Sequence, residues 1–171
     1  MNSISPILNI MIKACEKASK VIIRDFGEIE NLQVKKKGPK DFVTKTDKRV
    51  EKILVEELEK SKKNYSFITE ETGIIDNSDK ENFWIIDPID GTVNFAHGHR
   101  QSAVSIAYVQ DGHVEIGIVY NPFTNEIFSA TRGNGAFLNG ETIQVAQKEN
   151  PRRAIVATGF PYEKSNIEAM I

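Results

Sequence analysis

The chain has 171 residues, 40% of them hydrophobic and 27% charged, which suits a soluble globular domain with a buried core. A net charge of -2 gives no electrostatic case for nucleic acid or an anionic membrane as the main partner. Cys15 is the single cysteine, so no intrachain disulfide framework exists and a cytoplasmic location is expected. No signal-peptide pattern or membrane-length apolar run occurs.

Two helices are predicted in the first 60 residues. Ser5 is expected to be the N-cap of the first helix and Pro6 its first residue. Apolar residues then recur at helical spacing, and Gly27 is expected to end the helix. A second helix is expected over about residues 46–60, with Thr46 as its cap and a buried apolar stripe.

The segment between the helices, residues 34–47, contains three consecutive lysines and a Gly-Pro break. It is predicted to be a mobile basic loop. Lys35, Lys36 and Lys37 belong either to a solvated turn or to a loop that attracts phosphate.

The rest of the chain is dominated by strand patterns. "YSFITEE" alternates between two faces, "FWIID" is a short apolar strand, and "AVSIAYV" and "HVEIGIVY" flank the hairpin turn Asp111-Gly112. "EIFSAT" follows, and Asn139-Gly140 marks another reversal. The glycines of "RGNGAF" lack the strand-then-helix frame of a dinucleotide loop and indicate a turn.

This order predicts an α+β fold in which two N-terminal helices pack on one face of a largely antiparallel sheet. Residues 1–150 are expected to form this domain. After Pro151, "RAIVATGF" is typical of a buried strand and "EKSNIEAMI" of the first turns of a helix. Residues 151–171 are therefore expected to begin an incomplete C-terminal α/β domain.

Carboxylates recur where predicted elements begin or end: Asp47, Glu70, Glu71, Asp87 and Asp90. Oxygen ligands of this kind suit a hard cation such as Mg²⁺. Pro88 fixes the backbone after Asp87, and the carbonyl of Ile89 adds an oxygen between the two aspartates. Asp87 is placed to bridge two cations. The alternative is that Asp87 and Asp90 are simple turn and cap residues.

Residues after Asp90 suit an anion. Gly91 allows close backbone approach, Thr92 offers a hydroxyl, and the amides of both would face a ligand if a helix starts there. No cysteine or histidine is an evident nucleophile, which favours attack by metal-activated water over a phospho-enzyme. His97 and His99 lack partners at zinc spacing and are expected in structural or surface roles.

The stretches "DPIDGT", "ITEETG" and "DFVTKTDKRVEKIL" together resemble the inositol monophosphatase family of magnesium-dependent, lithium-sensitive phosphatases. The resemblance extends from the first helix to about Val145. It implies a sugar-phosphatase-like layered fold, a homodimer, Mg²⁺ as the cofactor, and hydrolysis of inositol monophosphate or a related sugar or polyol phosphate.

The resemblance also implies roles for individual residues. Glu70, Asp87 and the Ile89 carbonyl would hold a first Mg²⁺, and Asp87 and Asp90 a second. Thr92, supported by Glu70 and Asp47, would orient the attacking water. The substrate site would be lined by the following residues: Glu70, Ile89, Asp90, Gly91 and Thr92.

The sequence departs from the family in one respect. Family members continue into a second half with a Trp-Asp motif that completes the second metal site, whereas Trp84 is the only tryptophan here. Three explanations account for the missing second half: the chain is a fragment, the product of a disrupted gene, or a shortened protein with another role. We expect the 171-residue chain to have little or no activity alone. A non-catalytic module that binds metal or phosphate is the alternative function.

Overall fold

A computed structural model describes residues 5–32, 39–147, 150, 152 and 154–156. Two long helices pack on one face of an eight-stranded sheet, which confirms the predicted α+β class. None of the helices in these ranges is both long and apolar enough to cross a membrane. The elements in chain order are α1 (Pro6–Leu32), α2 (Pro39–Glu59), β1 (Tyr65–Thr69), β2 (Gly73–Ile75), β3 (Asp79–Asp90), α3 (Thr92–Ala96), β4 (Ala103–Gln110), β5 (His113–Asn121), β6 (Glu126–Thr131), β7 (Gly135–Leu138) and β8 (Glu141–Ile143).

Helix α1 begins as predicted and ends later. The amide of Leu8 donates a 3.1 Å hydrogen bond to Oγ of Ser5, which confirms Ser5 as the cap. The predicted end at Gly27 is wrong, because the helix continues to Leu32. Ile29, one turn beyond the buried Phe26, is fully buried, and this packing outweighs the roughly 1 kcal/mol that a helical glycine costs.

Helix α2 begins seven residues before the predicted start. Pro39 is its first residue, a position that tolerates proline because no intrahelical N–H is needed there. Thr46 lies inside the helix, so the prediction of a cap at Thr46 and of a loop over residues 39–47 is wrong. The buried stripe of Val50, Leu54 and Leu58 is confirmed. The lysines 35–37 lie outside the described residues.

The sheet has the strand order β2-β1-β3-β4-β5-β6-β7-β8. Among the described strands, every neighbouring pair is antiparallel except β1 and β3, which are parallel. Parallel strands place their carboxyl ends at the same edge of a sheet. The residues that follow β1 therefore meet the carboxyl end of β3.

The predicted hairpin turns are confirmed. Asp111 and Gly112 have φ of 50° and 71° and join β4 to β5, while Asn139 and Gly140 have φ of 50° and 84° and join β7 to β8. Two successive positive φ values match the right-handed twist of the flanking strands. The first three residues of "RGNGAF" join β6 to β7, as the turn interpretation requires, and the last three begin β7.

The two faces of the sheet have different surroundings. The face toward the helices carries the core, which includes Phe67, Trp84, Ile106 and Ile118. The opposite face is also apolar, and a shallow cavity of about 320 Å³ lies on it. Five of its large side chains are each between 37% and 41% exposed: Ile68, Ile85, Val119, Phe128 and Ile143.

The predicted buried strand after Pro151 is not found where the structure describes this segment. Ala154, Ile155 and Val156 form no strand, and Ile155 and Val156 are 99% and 85% exposed. Since no described element packs on them, their apolar character alone does not produce a strand. Residues 157–171 lie outside the described residues, and the boundary at residue 150 remains a prediction.

Candidate functional site

Glu70 and Asp87 meet because β1 and β3 run parallel. Thr69 pairs with Ile86, so the next residue of each chain segment is a carboxylate at the same edge of the sheet. The amide of Glu70 donates to the carbonyl of Ile86 at 3.3 Å, and the Glu70 carboxyl lies near enough to Asp87 to raise the pKa of Asp87. Two separate sequence motifs thus contribute to one site.

A break in the β3–β4 ladder separates Asp87 from Asp90. Asp87 pairs with Ser105 and Asp90 with Ala103, so three steps along β3 oppose two steps along β4. Such a bulge redirects the intervening backbone. The carbonyl of Ile89, inside the bulge, accepts a 2.9 Å hydrogen bond from the hydroxyl of Thr92.

Gly91 forms the tight link between β3 and α3. Its φ of 84° lies in the left-handed region, and a Cβ at this position would come within 2.8 Å of the carbonyl oxygen of Gln101. Both the dihedral angle and the space therefore require glycine. The carbonyl of Gly91 accepts the amide of Phe95 at 3.0 Å, which starts the short helix α3.

Asp47 reaches the site from the middle of α2, not from a helix start as the sequence suggested. It is 1% exposed, and within the described residues its buried Oδ1 has no hydrogen-bond partner. Burial, followed by the charges of Glu71, Glu70, Asp87 and Glu51, raises the pKa of Asp47 to about 7. Positive charge placed near such an acid stabilises its ionised form.

Asp87 is in a similar electrostatic position. Burial, the hydrogen bond with Glu70 and the charges of Glu70 and Asp90 raise its pKa to about 7, opposed by a hydrogen bond from the amide of Ile89. Its buried Oδ1, like that of Asp47, makes no hydrogen bond in the part of the chain that the structure describes. Unpartnered buried carboxylate oxygens are costly unless a cation or proton compensates them.

These oxygens fit a hard divalent cation. The donor set near Asp87 consists of carboxylates and one backbone carbonyl, which are the ligand types of Mg²⁺. Among the residues described, no three side chains of Asp, Glu, His or Cys are gathered as a metal-holding group. The predicted ligand sets use two side-chain carboxylates per ion, with the Ile89 carbonyl added at the first ion.

The other candidate residues are peripheral. Glu71 is partly exposed, and burial with the nearby charges of Glu70 and Glu51 raises its pKa. His97 is exposed and its Nδ1 lies 2.9 Å from the carbonyl of Val93, while His99 is also exposed, which agrees with the expected surface roles.

Sequence reasoning missed two buried carboxylates: Glu51, whose charge acts on Asp47, and Asp25, which contacts Thr46 next to Asp47. Glu51 lies four residues after Asp47 on α2, and this helical spacing was the available signal. Asp25 binds Thr46, and its position depends on how α1 packs against α2, which the local sequence does not encode.

The sequence profile described as the inositol monophosphatase family matches residues 3–167. The chain belongs to this family, whose members are generally metal-dependent. An inositol-1-monophosphatase of Rhizobium meliloti (strain 1021) is 43% identical over 158 residues, which are 92% of this chain and 59% of that protein. The Nus factor SuhB of Vibrio cholerae is 44% identical over 159 residues, 93% of this chain and 60% of its own length.

Solved structures show the same relationship. The extragenic suppressor protein suhB of Bartonella henselae superposes with a TM-score of 0.84 at 38% identity, covering 98% of this chain and 64% of that one. An IMPase of Thermotoga maritima gives a TM-score of 0.69 at 36% identity, covering 82% and 54%. The chain thus spans about 60% of the length of the curated relatives it matches.

Proposed function

We propose that the protein takes part in Mg²⁺-dependent hydrolysis of a phosphomonoester, with inositol monophosphate or a related sugar or polyol phosphate as substrate. The observation that carries this proposal is the meeting of Glu70 and Asp87 at the ends of two parallel strands, with buried Oδ1 atoms of Asp47 and Asp87 unpartnered within the described residues. The family relationship supports a phosphatase.

The residues divide into two ligand sets. Glu70, Asp87 and the carbonyl of Ile89 would hold one Mg²⁺, and Asp87 and Asp90 a second, with Asp87 shared between them. When bound, the cations supply positive charge that activates water and neutralises phosphate oxygens. The same charge would allow Asp47 and Asp87 to remain ionised at neutral pH although their Oδ1 atoms are buried.

Thr92 is assigned to position the attacking water. Its hydroxyl proton is directed to the carbonyl of Ile89, so the lone pairs of Oγ1 are left to accept a hydrogen bond from water. Glu70 and Asp47 support this orientation. The amides of Gly91 and Thr92 are assigned to the phosphate, and Asp90 to hydroxyl groups of the substrate.

The test is phosphate release from inositol monophosphate with Mg²⁺, with and without lithium, by this chain and by any longer product of its gene. We expect lithium-sensitive release by the longer product and weak or no release by the 171 residues alone. Absence of release by both would refute the proposal.

A non-catalytic module is the second candidate. Several relatives are named Nus factor SuhB and not as phosphatases, and the chain spans about 60% of their length. In that role the pocket would bind a metal or phosphate without turnover. Stable expression of the 171 residues as a natural product, with cation binding and no hydrolysis in any form, would favour this candidate.

A further inference from the structure

Glu51 is a buried carboxylate next to the proposed cation site that has no assigned role. It lies on α2 one helical turn after Asp47 and is 3% exposed. Within the described residues no lysine, arginine or histidine forms an ion pair with it. Buried carboxylates are costly unless they accept hydrogen bonds, so the contacts of Glu51 require an explanation.

Glu51 contacts a backbone amide that lies 20 residues later in the chain. Its Oε2 accepts a 2.9 Å hydrogen bond from the amide of Glu71, immediately after Glu70. The amide of Glu70 itself donates to Ile86 on β3. Two consecutive amides are thus held from two sides, one by the sheet and one by α2, which restricts the backbone that carries the Glu70 side chain.

We propose that Glu51 is a positioning residue, which holds the Glu70–Glu71 backbone so that the Glu70 carboxyl faces Asp87 and can share a cation with it. The inference rests on the proposed function, because it assigns a purpose to the Glu70–Asp87 pair. It concerns the hydrogen bond of Glu51 and not its charge alone. Residues that orient metal ligands in this way typically change metal affinity by about 10–100-fold when they are replaced.

Two variants separate the hydrogen bond from the charge. Glu51→Gln removes the charge and keeps a carbonyl oxygen for the Glu71 amide, whereas Glu51→Ala removes both. Glu56→Ala is the matched control, since Glu56 is on the same helix with its side chain 53% exposed. Asp87→Asn tests the cation site itself.

The readouts are hydrogen exchange of the Glu71 amide by NMR and the Kd of Mn²⁺ by calorimetry, both on the 171-residue chain. We expect Glu51→Ala to accelerate exchange at Glu71 and to weaken Mn²⁺ binding by about tenfold or more. Glu51→Gln should keep the protection and stay within about threefold of the wild-type Kd, and Glu56→Ala should change neither quantity.

Three results would overturn the inference. Equal loss of Mn²⁺ affinity in Glu51→Gln and Glu51→Ala would show that charge alone matters, and a wild-type Kd in Glu51→Ala would show that the contact is only structural. If wild type binds no Mn²⁺, or Asp87→Asn binds it as tightly as wild type, the cation site of the proposed function fails, and the role of Glu51 fails with it. The Asp87 variant distinguishes this last case from the first two.

Discussion

The hydroxyl of Thr46 donates a 2.9 Å hydrogen bond to Oδ2 of Asp25, and both residues are buried where α2 packs against α1. The same carboxylate binds Nε of Arg24 at 2.8 Å and Nη2 of Arg49 at 3.2 Å, so both of its oxygens are engaged. Because Thr46 directly precedes Asp47, this contact fixes α2 next to the residue that it contributes to the candidate site.

Removing the Thr46 hydroxyl should therefore destabilise the fold. Thr46→Val keeps the shape of the side chain and removes one donor to the Asp25 carboxylate, which keeps Arg24 and Arg49 as partners. Loss of a hydrogen bond to a charged group typically costs about 1.5–3 kcal/mol of unfolding free energy. Urea denaturation followed by the fluorescence of Trp84 measures it. The control is Thr124→Val, since the Thr124 hydroxyl donates to Glu126 at an exposed site. Equal stability of Thr46→Val and wild type would contradict the assignment.

The raised pKa values of Asp47 and Asp87 predict how stability depends on pH without divalent cations. Both pKa values are near 7 in the folded chain, whereas the ordinary pKa of an aspartate is 3.8. Between pH 3.8 and pH 7 the folded state therefore binds more protons than the unfolded state. The contribution of these groups is fully present below about pH 4 and is lost as the pH rises to about 7. With EDTA, unfolding free energy should be lower at pH 8 than at pH 5.

Two changes should weaken this dependence. Asp47→Asn removes one titrating group. Saturating Mg²⁺ at pH 8 supplies positive charge that stabilises the ionised carboxylates. Denaturant titrations at the two pH values measure both effects. A slope that is the same in wild type and Asp47→Asn would show that other groups cause it.

Gly91 and Gly27 predict opposite outcomes for the same substitution. Gly91→Ala places a Cβ about 2.8 Å from Gln101 O at a φ of 84°, so it should destabilise the fold by about 1–2 kcal/mol or more. Gly27→Ala meets nothing within 4 Å inside a helix and should stabilise by about 0.5–1 kcal/mol. Thermal denaturation compares them; destabilisation by both would contradict the α1 boundary at Leu32.

The apolar face opposite the helices predicts self-association of the 171-residue chain. Val119 and Phe128 pair across β5 and β6 on this face and are about two-fifths exposed. The double variant Val119→Thr, Phe128→Thr should reduce association in sedimentation experiments, because contiguous exposed apolar surface favours contacts between molecules. Val114→Thr at the exposed start of β5 is the control. A monomeric wild type at high concentration would refute this prediction.

Local patterns predicted much of the fold. The strand predicted in "YSFITEE" and the Asp111-Gly112 and Asn139-Gly140 turns depend on neighbouring residues. The structure confirms both turns and a strand over Tyr65–Thr69, with Glu70 and Glu71 after its end. The ends of the helices could not be obtained in this way. Helix α1 passes Gly27 because Ile29 is buried by tertiary packing, and Thr46, a good cap by residue type, instead bonds Asp25 of another helix.

The candidate site divides similarly. The backbone geometry of "DPIDGT" could be predicted from the motif, because the bulge at Pro88 and Ile89 and the left-handed Gly91 lie within it. The meeting of Glu70 with Asp87 depends on the parallel β1–β3 pair, which forms although β2 lies between them in the chain. Glu51 was missed because its partner is a backbone amide 20 residues away.

The most direct test of the central assignment is Mg²⁺-dependent phosphate release from inositol monophosphate by the longest product of the gene, compared between wild type and Asp87→Asn. Asp76→Asn, at an exposed position, is the control. We predict that Asp87→Asn abolishes release and Asp76→Asn leaves it unchanged. Release by Asp87→Asn at the wild-type rate would contradict the placement of the cations at Asp87.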